Sequence, residues 1–167
     1  MGNKKNPFKL DVVSIRLVKD APLRSGRPIN NPQAAVALVG EQLCEMDKEV
    51  VCVINLRSDC TPINCSIVSV GTVNESLVHP REILKSSILS NAASILILHN
   101  HPSGRLVPSQ QDCMMTDRMI KMCEYMGIPL QDHIIVGGDN AQYFSFKEKG
   151  LVTNPTISLV ADYQDRI

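Results

Sequence analysis

Apolar runs and alternating apolar and polar positions predict six strands along the chain. Residues 50–56 and 93–98 are nearly continuous apolar runs, typical of strands that are covered on both faces of a sheet. Residues 11–20 alternate apolar and polar positions, which predicts a half-buried strand. Further strands are predicted at residues 63–70, 133–136 and 143–146, the last two joined as a hairpin by the turn sequence GGDN.

Apolar residues at helical spacing predict three helices between these strands, at residues 31–46, 79–91 and 109–125. Proline stands at the start of the first two, and Gly127 follows the third, where a left-handed stop is expected. The third helix carries four methionines that we interpret as core residues: Met115, Met119, Met122 and Met126. Alternating strands and helices favour an α/β fold, a mixed β-sheet sandwiched by helices.

The length of 167 residues suits one domain with a proper hydrophobic core. We expect a flexible N-terminal tail at residues 1–9, the folded domain at residues 10–152 and a C-terminal tail at residues 153–167. The C-terminal tail lacks periodicity, which leaves open an ordered arm, a partner-binding segment or disorder.

Charge and cysteine usage narrow the classes of function. Seventeen basic and seventeen acidic residues cancel, so net charge does not support nucleic-acid binding, although a local basic patch stays open. The six cysteines form no C-x-x-C pair. We interpret them as small buried hydrophobic residues of a protein whose thiols are reduced. No segment has the apolar length of a signal peptide core or a membrane span. We therefore predict a cytoplasmic protein without a membrane partner, and the sequence indicates no oligomeric state.

The stretch LHNHPSGRLVPSQQD, residues 98–112, carries the candidate chemistry. His99 and His101 leave a buried strand two residues apart, so both imidazoles point to one face, and Asp112 lies in the first turn of the next helix. Two nitrogens and a carboxylate suit zinc with an open fourth position. In the alternative interpretation, the histidines only bind loop carbonyls, and Ser109 with Asp112 forms a capping box. We favour Asp112 as a ligand over a capping partner, and zinc occupancy should then fall below about pH 6.

His99-Asn100-His101-Pro102, then six residues, then Ser109-Gln110-Gln111-Asp112, resembles the JAMM motif of the MPN/JAB metalloprotease fold. The chain is most similar to the RadC-like branch of that group. The segments that carry this resemblance lie in order at residues 77–82, 99–104, 127–133 and 143–146. RadC-like proteins often carry a helix-hairpin-helix region ahead of this domain. We expect this chain to lack that region, which leaves open the DNA contact that it would add.

The resemblance implies that His99, His101 and Asp112 bind zinc, with a water molecule in the fourth position. It also implies a glutamate general base at the start of the strand after the first helix, a place that Glu49 matches. Glu41 and Glu45 are alternatives by composition, but they are interpreted as solvated charges. Ser109 matches the serine that helps to stabilise an oxyanion. The remaining candidates are His79, Arg81 and Asn100, as substrate contacts or structural residues, with His79 also a helix cap, and His133 is interpreted as structural.

The leading hypothesis is therefore a zinc-dependent hydrolase that cleaves a peptide or isopeptide bond with metal-activated water, its partner being a peptide or protein substrate. An alternative is a DNA-repair-associated or mobile-element accessory protein with weak or no protease activity. A deaminase is disfavoured because the H-x-E and P-C-x-x-C signature is absent. A contiguous H-N-H does not indicate an HNH nuclease, and a non-catalytic scaffold is disfavoured by the complete ligand set.

Overall fold

A computed structural model describes residues 14, 16–18, 27–71, 78–138 and 142–153. Eight helices and strands lie within these residues: α1 (Pro32–Cys44), β1 (Glu49–Leu56), β2 (Pro62–Gly71), α2 (Pro80–Leu89), β3 (Ser94–His101), α3 (Gln110–Met126), β4 (Leu130–Gly137) and β5 (Tyr143–Ser145). Most of the strand predicted at residues 11–20, and the tails predicted at 1–9 and 153–167, fall outside the described residues apart from Thr153.

The five strands form one mixed sheet in the order β2-β1-β3-β4-β5. β3 lies at its centre, antiparallel to β1 and parallel to β4, while β2 and β5 pair antiparallel at the two edges. The parallel pair is joined through α3, as a parallel connection requires a crossover. The predicted α/β class with a mixed sheet is confirmed.

Helices cover both faces of the sheet, and each face has its own apolar cluster. On one face Val51, Val53 and Ile97 pack against residues of α2 and α3. On the other face Cys52, Ile54 and Leu98 pack with α1. Because successive residues of a strand point to opposite faces, this double burial explains the nearly continuous apolar runs. The same alternation directs Glu49 and His99 to the α2–α3 face.

Local sequence explains where the helices begin and end. The Asn31 side chain accepts a hydrogen bond from the backbone nitrogen of Ala34 at 2.8 Å, which caps α1. Gly127 ends α3 with a φ of 65°, in the left-handed region that glycine adopts without strain. In the described part of the chain, none of the helices has the length and apolar character needed to cross a membrane.

Two details of the helix predictions are wrong. α1 ends at Cys44, and Met46 lies beyond it with 40% of its surface exposed. The methionine stripe of α3 is divided, since Met115 and Met119 are buried but Met122 and Met126 are 39% and 43% exposed. Met115 and Met119 share the buried face of α3 with Asp112, Thr116, Ile120 and Cys123.

Candidate metal centre

His99 and His101 lie at the end of β3 and point to the face of the sheet on which α3 begins. Their Nε2 atoms are 3.0 Å apart. Asp112, the third residue of α3, places Oδ1 3.2 Å from Nε2 of His99 and Oδ2 3.4 Å from Nε2 of His101. His99 is fully buried, whereas His101 is partly exposed. The fold thus brings together the three predicted ligands.

Glu49, the first residue of β1, completes the group. The antiparallel register sets Val51 opposite His99, so that Glu49, two residues earlier, lies beside His101. One ligand atom from each of Glu49, His99, His101 and Asp112 lies within 4.8 Å of the others, and these four residues are called the His/Asp/Glu cluster below. Glu41 and Glu45 are exposed on and beside α1, outside this cluster.

Asn100 holds the segment that carries Glu49. Its Oδ1 accepts a hydrogen bond from the backbone nitrogen of Val50 at 2.7 Å. Its Nδ2 donates to the carbonyl oxygens of Met46 and Lys48 at 3.3 and 3.0 Å. Asn100 is 1% exposed and points to the opposite face of the sheet from the two histidines. Of its two predicted roles, the structure supports the structural one.

Ser109 and Asp112 form the complete capping box at the start of α3. Oδ2 of Asp112 accepts from the backbone nitrogen and the hydroxyl group of Ser109 at 2.6 and 2.7 Å, while Oδ1 faces His99. Asp112 is therefore a capping partner, as in the alternative interpretation, while its Oδ1 stays directed at His99; its role as a metal ligand stays a prediction. The Ser109 hydroxyl group is directed to Asp112.

The ionised Asp112 carboxylate favours a cation in the cluster, whereas a protonated His101 ring opposes one. Burial opposes ionisation of the Asp112 carboxyl group, but hydrogen bonds with His101 and His99 outweigh it and hold its pKa well below the usual range. The hydrogen bond with Asp112 raises the pKa of His101. When the His101 ring is neutral, its Nδ1 carries the proton, because the Arg105 carbonyl oxygen at 2.6 Å can only accept.

This arrangement passes a simple test of fit for a divalent metal ion. Nε2 of neutral His101 directs a lone pair toward the Asp112 carboxylate and His99, a concentration of acceptors that a cation would stabilise. Imidazole nitrogens with a carboxylate oxygen are donors that suit zinc and related transition metals. The His/Asp/Glu cluster can therefore hold a metal ion.

His133 is closer to the site than its structural interpretation implied. Its Nε2 lies 2.8 Å from Nδ1 of His99, and its Nδ1 lies 2.7 Å from Oγ1 of Thr116. Its ring stacks on Phe146, with centroids 4.6 Å apart. Burial, with the neighbouring His99, lowers the pKa of His133 well below its usual value, so the ring is neutral at pH 7. Strand alternation could have placed it on this face, but only if β4 were known to lie beside β3.

His79 and Arg81 lie at the exposed start of α2 and are not members of the His/Asp/Glu cluster. His79 occupies the N-cap position, but its side chain makes no capping hydrogen bond. The prediction that its side chain caps α2 is therefore wrong. By contrast, a serine oxygen caps α3 and an asparagine oxygen caps α1.

A five-stranded mixed sheet flanked by helices, with this cluster at the end of its central strand, is consistent with the JAB/MPN fold. Comparison with protein families matches residues 29–151 to the RadC-like JAB domain, and the chain belongs to this family. The resemblance found in the sequence is confirmed.

Three curated relatives carry the name UPF0758 protein. The relative from Clostridium acetobutylicum is 46% identical over 124 residues, which cover 74% of this chain and 53% of the relative. The relative from Microcystis aeruginosa is 40% identical over 114 residues, 68% of this chain and 47% of the relative. The relative from Methanosarcina acetivorans is 37% identical over 126 residues, 75% of this chain and 54% of the relative. The chain thus spans about half the length of these relatives.

Proposed function

We propose that the protein is a zinc-dependent hydrolase of the JAMM type, which cleaves a peptide or isopeptide bond in a peptide or protein substrate. The observation that carries this proposal is the convergence of Glu49, His99, His101 and Asp112 at one point, since these residues come from three separate elements of the fold. A metal-binding triad with an adjacent carboxylate is the arrangement that metal-assisted hydrolysis requires.

His99, His101 and Asp112 would hold the metal ion. When bound, zinc supplies Lewis-acid chemistry that activates water and polarises a carbonyl group. Glu49 is then the general base: its carboxylate, partly buried beside the other three residues, accepts a proton from the attacking water. The same carboxyl group returns a proton to the leaving amine.

Ser109 is proposed to donate a hydrogen bond to the developing oxyanion. Its hydroxyl group now donates to Oδ2 of Asp112, so this role requires the O–H to turn about the Cβ–Oγ bond of Ser109. The backbone nitrogen of Ser109 also donates to Oδ2, at 2.6 Å, and would keep the helix cap partly intact during that rotation. An oxyanion donor of this kind contributes roughly 3–4 kcal/mol to transition-state stabilisation.

The experiment that tests this proposal compares Glu49→Gln with the wild type. Glutamine keeps the size of the side chain but cannot accept the proton, so hydrolysis should be lost while the zinc content of the purified protein is retained. Protein termini would be compared by mass spectrometry between cells that carry wild-type and Glu49→Gln protein. A cleavage product found only with the wild type would also identify the substrate.

Glu45→Gln is the matched control for this experiment, because Glu45 is an exposed glutamate near Glu49 but outside the His/Asp/Glu cluster. It should give the wild-type set of cleavage products. Equal products from wild type and Glu49→Gln would contradict the assignment of Glu49, and a zinc-free wild-type protein would contradict the metal chemistry. We place the reaction in the cytoplasm, a location supported by the sequence pattern of the six cysteines.

A further inference from the structure

A buried chain of hydrogen bonds runs from one ligand of the His/Asp/Glu cluster to another. Nδ1 of His99 lies 2.8 Å from Nε2 of His133, and Nδ1 of His133 lies 2.7 Å from Oγ1 of Thr116. The Thr116 hydroxyl group lies 2.7 Å from the carbonyl oxygen of Asp112. His99, His133 and Thr116 are at most 2% exposed, so water does not compete for these contacts.

The protons of the chain can run in two directions, and only one of them satisfies every contact. If His99 carries its proton on Nδ1, it donates to His133, His133 donates to Thr116, and Thr116 donates to the carbonyl oxygen of Asp112, which can only accept. Nε2 of His99 is then a free lone pair. In the opposite direction, Thr116 donates to His133 and His133 donates to His99, so the contact between Thr116 and the carbonyl oxygen of Asp112 is left without a proton. His99 then carries its proton on Nε2, directed at Asp112, where it would exclude a metal ion.

We propose that His133 and Thr116 are positioning residues, which hold His99 in the tautomer that leaves Nε2 free for the metal. This inference rests on the metal chemistry proposed above. His101 reaches the same tautomer through one backbone carbonyl, that of Arg105, which no side-chain substitution removes. His99 depends instead on two side chains, and the last acceptor of their chain belongs to the third ligand, Asp112. The orientation of His99 is thereby linked to the start of α3.

Thr116→Val and Thr116→Ser form the test pair. Valine has nearly the shape of threonine but offers no acceptor to Nδ1 of His133, so the proton of that ring moves to Nε2 and the His99 proton is displaced onto its own Nε2. Zinc affinity, measured by competition with a chromogenic chelator, should fall roughly 10- to 100-fold in Thr116→Val, the usual effect of losing an outer hydrogen-bond partner. Thr116→Ser keeps the hydroxyl group and should bind zinc as the wild type does.

His133→Phe provides a second variant, which keeps a ring to stack on Phe146 but removes both ring nitrogens. It should lose zinc affinity as Thr116→Val does. The tautomers are read directly by ¹⁵N NMR of the histidine rings in metal-free wild-type protein, where His133 should carry its proton on Nδ1. A role limited to packing would not fix that proton.

Three outcomes separate this inference from the proposed function. The inference is overturned, and the hydrolase proposal left standing, by a proton on Nε2 of His133 in the metal-free protein. Equal zinc affinity of Thr116→Val and Thr116→Ser would do the same. The expected tautomer and affinities in a protein that cleaves no peptide bond support the inference and refute the hydrolase. A wild-type protein that binds no zinc overturns the inference together with the metal chemistry on which it rests.

Discussion

The site has two halves, a loop half at residues 101–112 and a sheet half made of Glu49, His99, Asn100 and His133. The loop half is supported by contacts between residues that are close in sequence, and the sheet half is not. In the first half, His101 binds the Arg105 carbonyl and Ser109 binds Asp112, over separations of four and three residues. In the sheet half, Asn100 binds the backbone of Lys48 across 52 residues and His133 meets His99 across 34. The contacts of the loop half can form within one short segment, whereas those of the sheet half form only when the strands of the sheet have assembled.

The two halves also differ in their exposure to solvent. His99 in the sheet half is fully buried, and 13% of the His101 side chain in the loop half is exposed. A polar group that loses its partner inside the sheet cannot turn to water, so substitutions there should affect the site more strongly. Substitutions in the loop half should have smaller effects, because solvent replaces part of what is lost.

The largest effect is expected for Asn100→Ala in the sheet half. The substitution leaves the Val50 nitrogen and the Met46 and Lys48 carbonyl oxygens without their Asn100 contacts. The Val50 nitrogen is left unsatisfied inside the sheet, at about 1–3 kcal/mol, whereas the two carbonyl contacts are only partly buried. The free energy of unfolding should therefore fall by roughly 2–3 kcal/mol. The segment that carries Glu49 is released at the same time, so hydrolysis should be lost as in Glu49→Gln. Urea denaturation and assay of the folded fraction measure the two effects.

Asn55→Ala is the matched control, since Asn55 is a fully buried asparagine of β1 that lies far along the strand from Glu49. Its Nδ2 donates to Asn64 and to Ser86. This variant should lose stability while its folded fraction keeps wild-type zinc affinity and hydrolysis. If Asn100→Ala behaved in the same way, the sheet half would not depend on Asn100 for the position of Glu49.

In the loop half, Ser109→Ala should reduce both stability and turnover. Loss of the capping hydroxyl group should lower the free energy of unfolding by about 1 kcal/mol. If the hydroxyl group also donates to the oxyanion, kcat should fall on the order of 100-fold or more. Ser109→Thr keeps a hydroxyl group and should retain most of both properties. A Ser109→Ala protein with normal turnover and reduced stability would limit Ser109 to the cap.

The same contrast explains what the sequence could predict. Periodicity located the helices and strands of the described residues, and strand alternation with the start of α3 brought His99, His101 and Asp112 together, because these features are local. Glu49 came from the family resemblance alone, since no local pattern fixes the register of β1 against β3. The contact of His133 with His99 depends on the pairing of β3 with β4, which no single segment encodes. For Asp112, a sequence letter does not show that one carboxylate oxygen can form the cap while the other faces His99.

The smallest expected effect concerns His101, the more exposed histidine of the cluster. The hydrogen bond with Asp112 raises its pKa, so NMR titration of the metal-free protein should give a midpoint above about 6.5, the usual histidine value. The pair then stabilises the metal-free fold below the unfolded-state pKa, and this contribution disappears as the pH rises through the raised folded-state pKa.

Zinc binding should follow the opposite trend, because only the neutral ring can bind the ion. On acidification, zinc affinity should therefore begin to fall at a higher pH than it would if His101 had the usual histidine pKa. Asp112→Asn keeps an oxygen that can accept from Ser109 but removes the charge, and should bring the His101 midpoint down. An unchanged midpoint in Asp112→Asn would show that the loop half does not set the protonation of His101 through Asp112, and that the Arg105 carbonyl accounts for the shift.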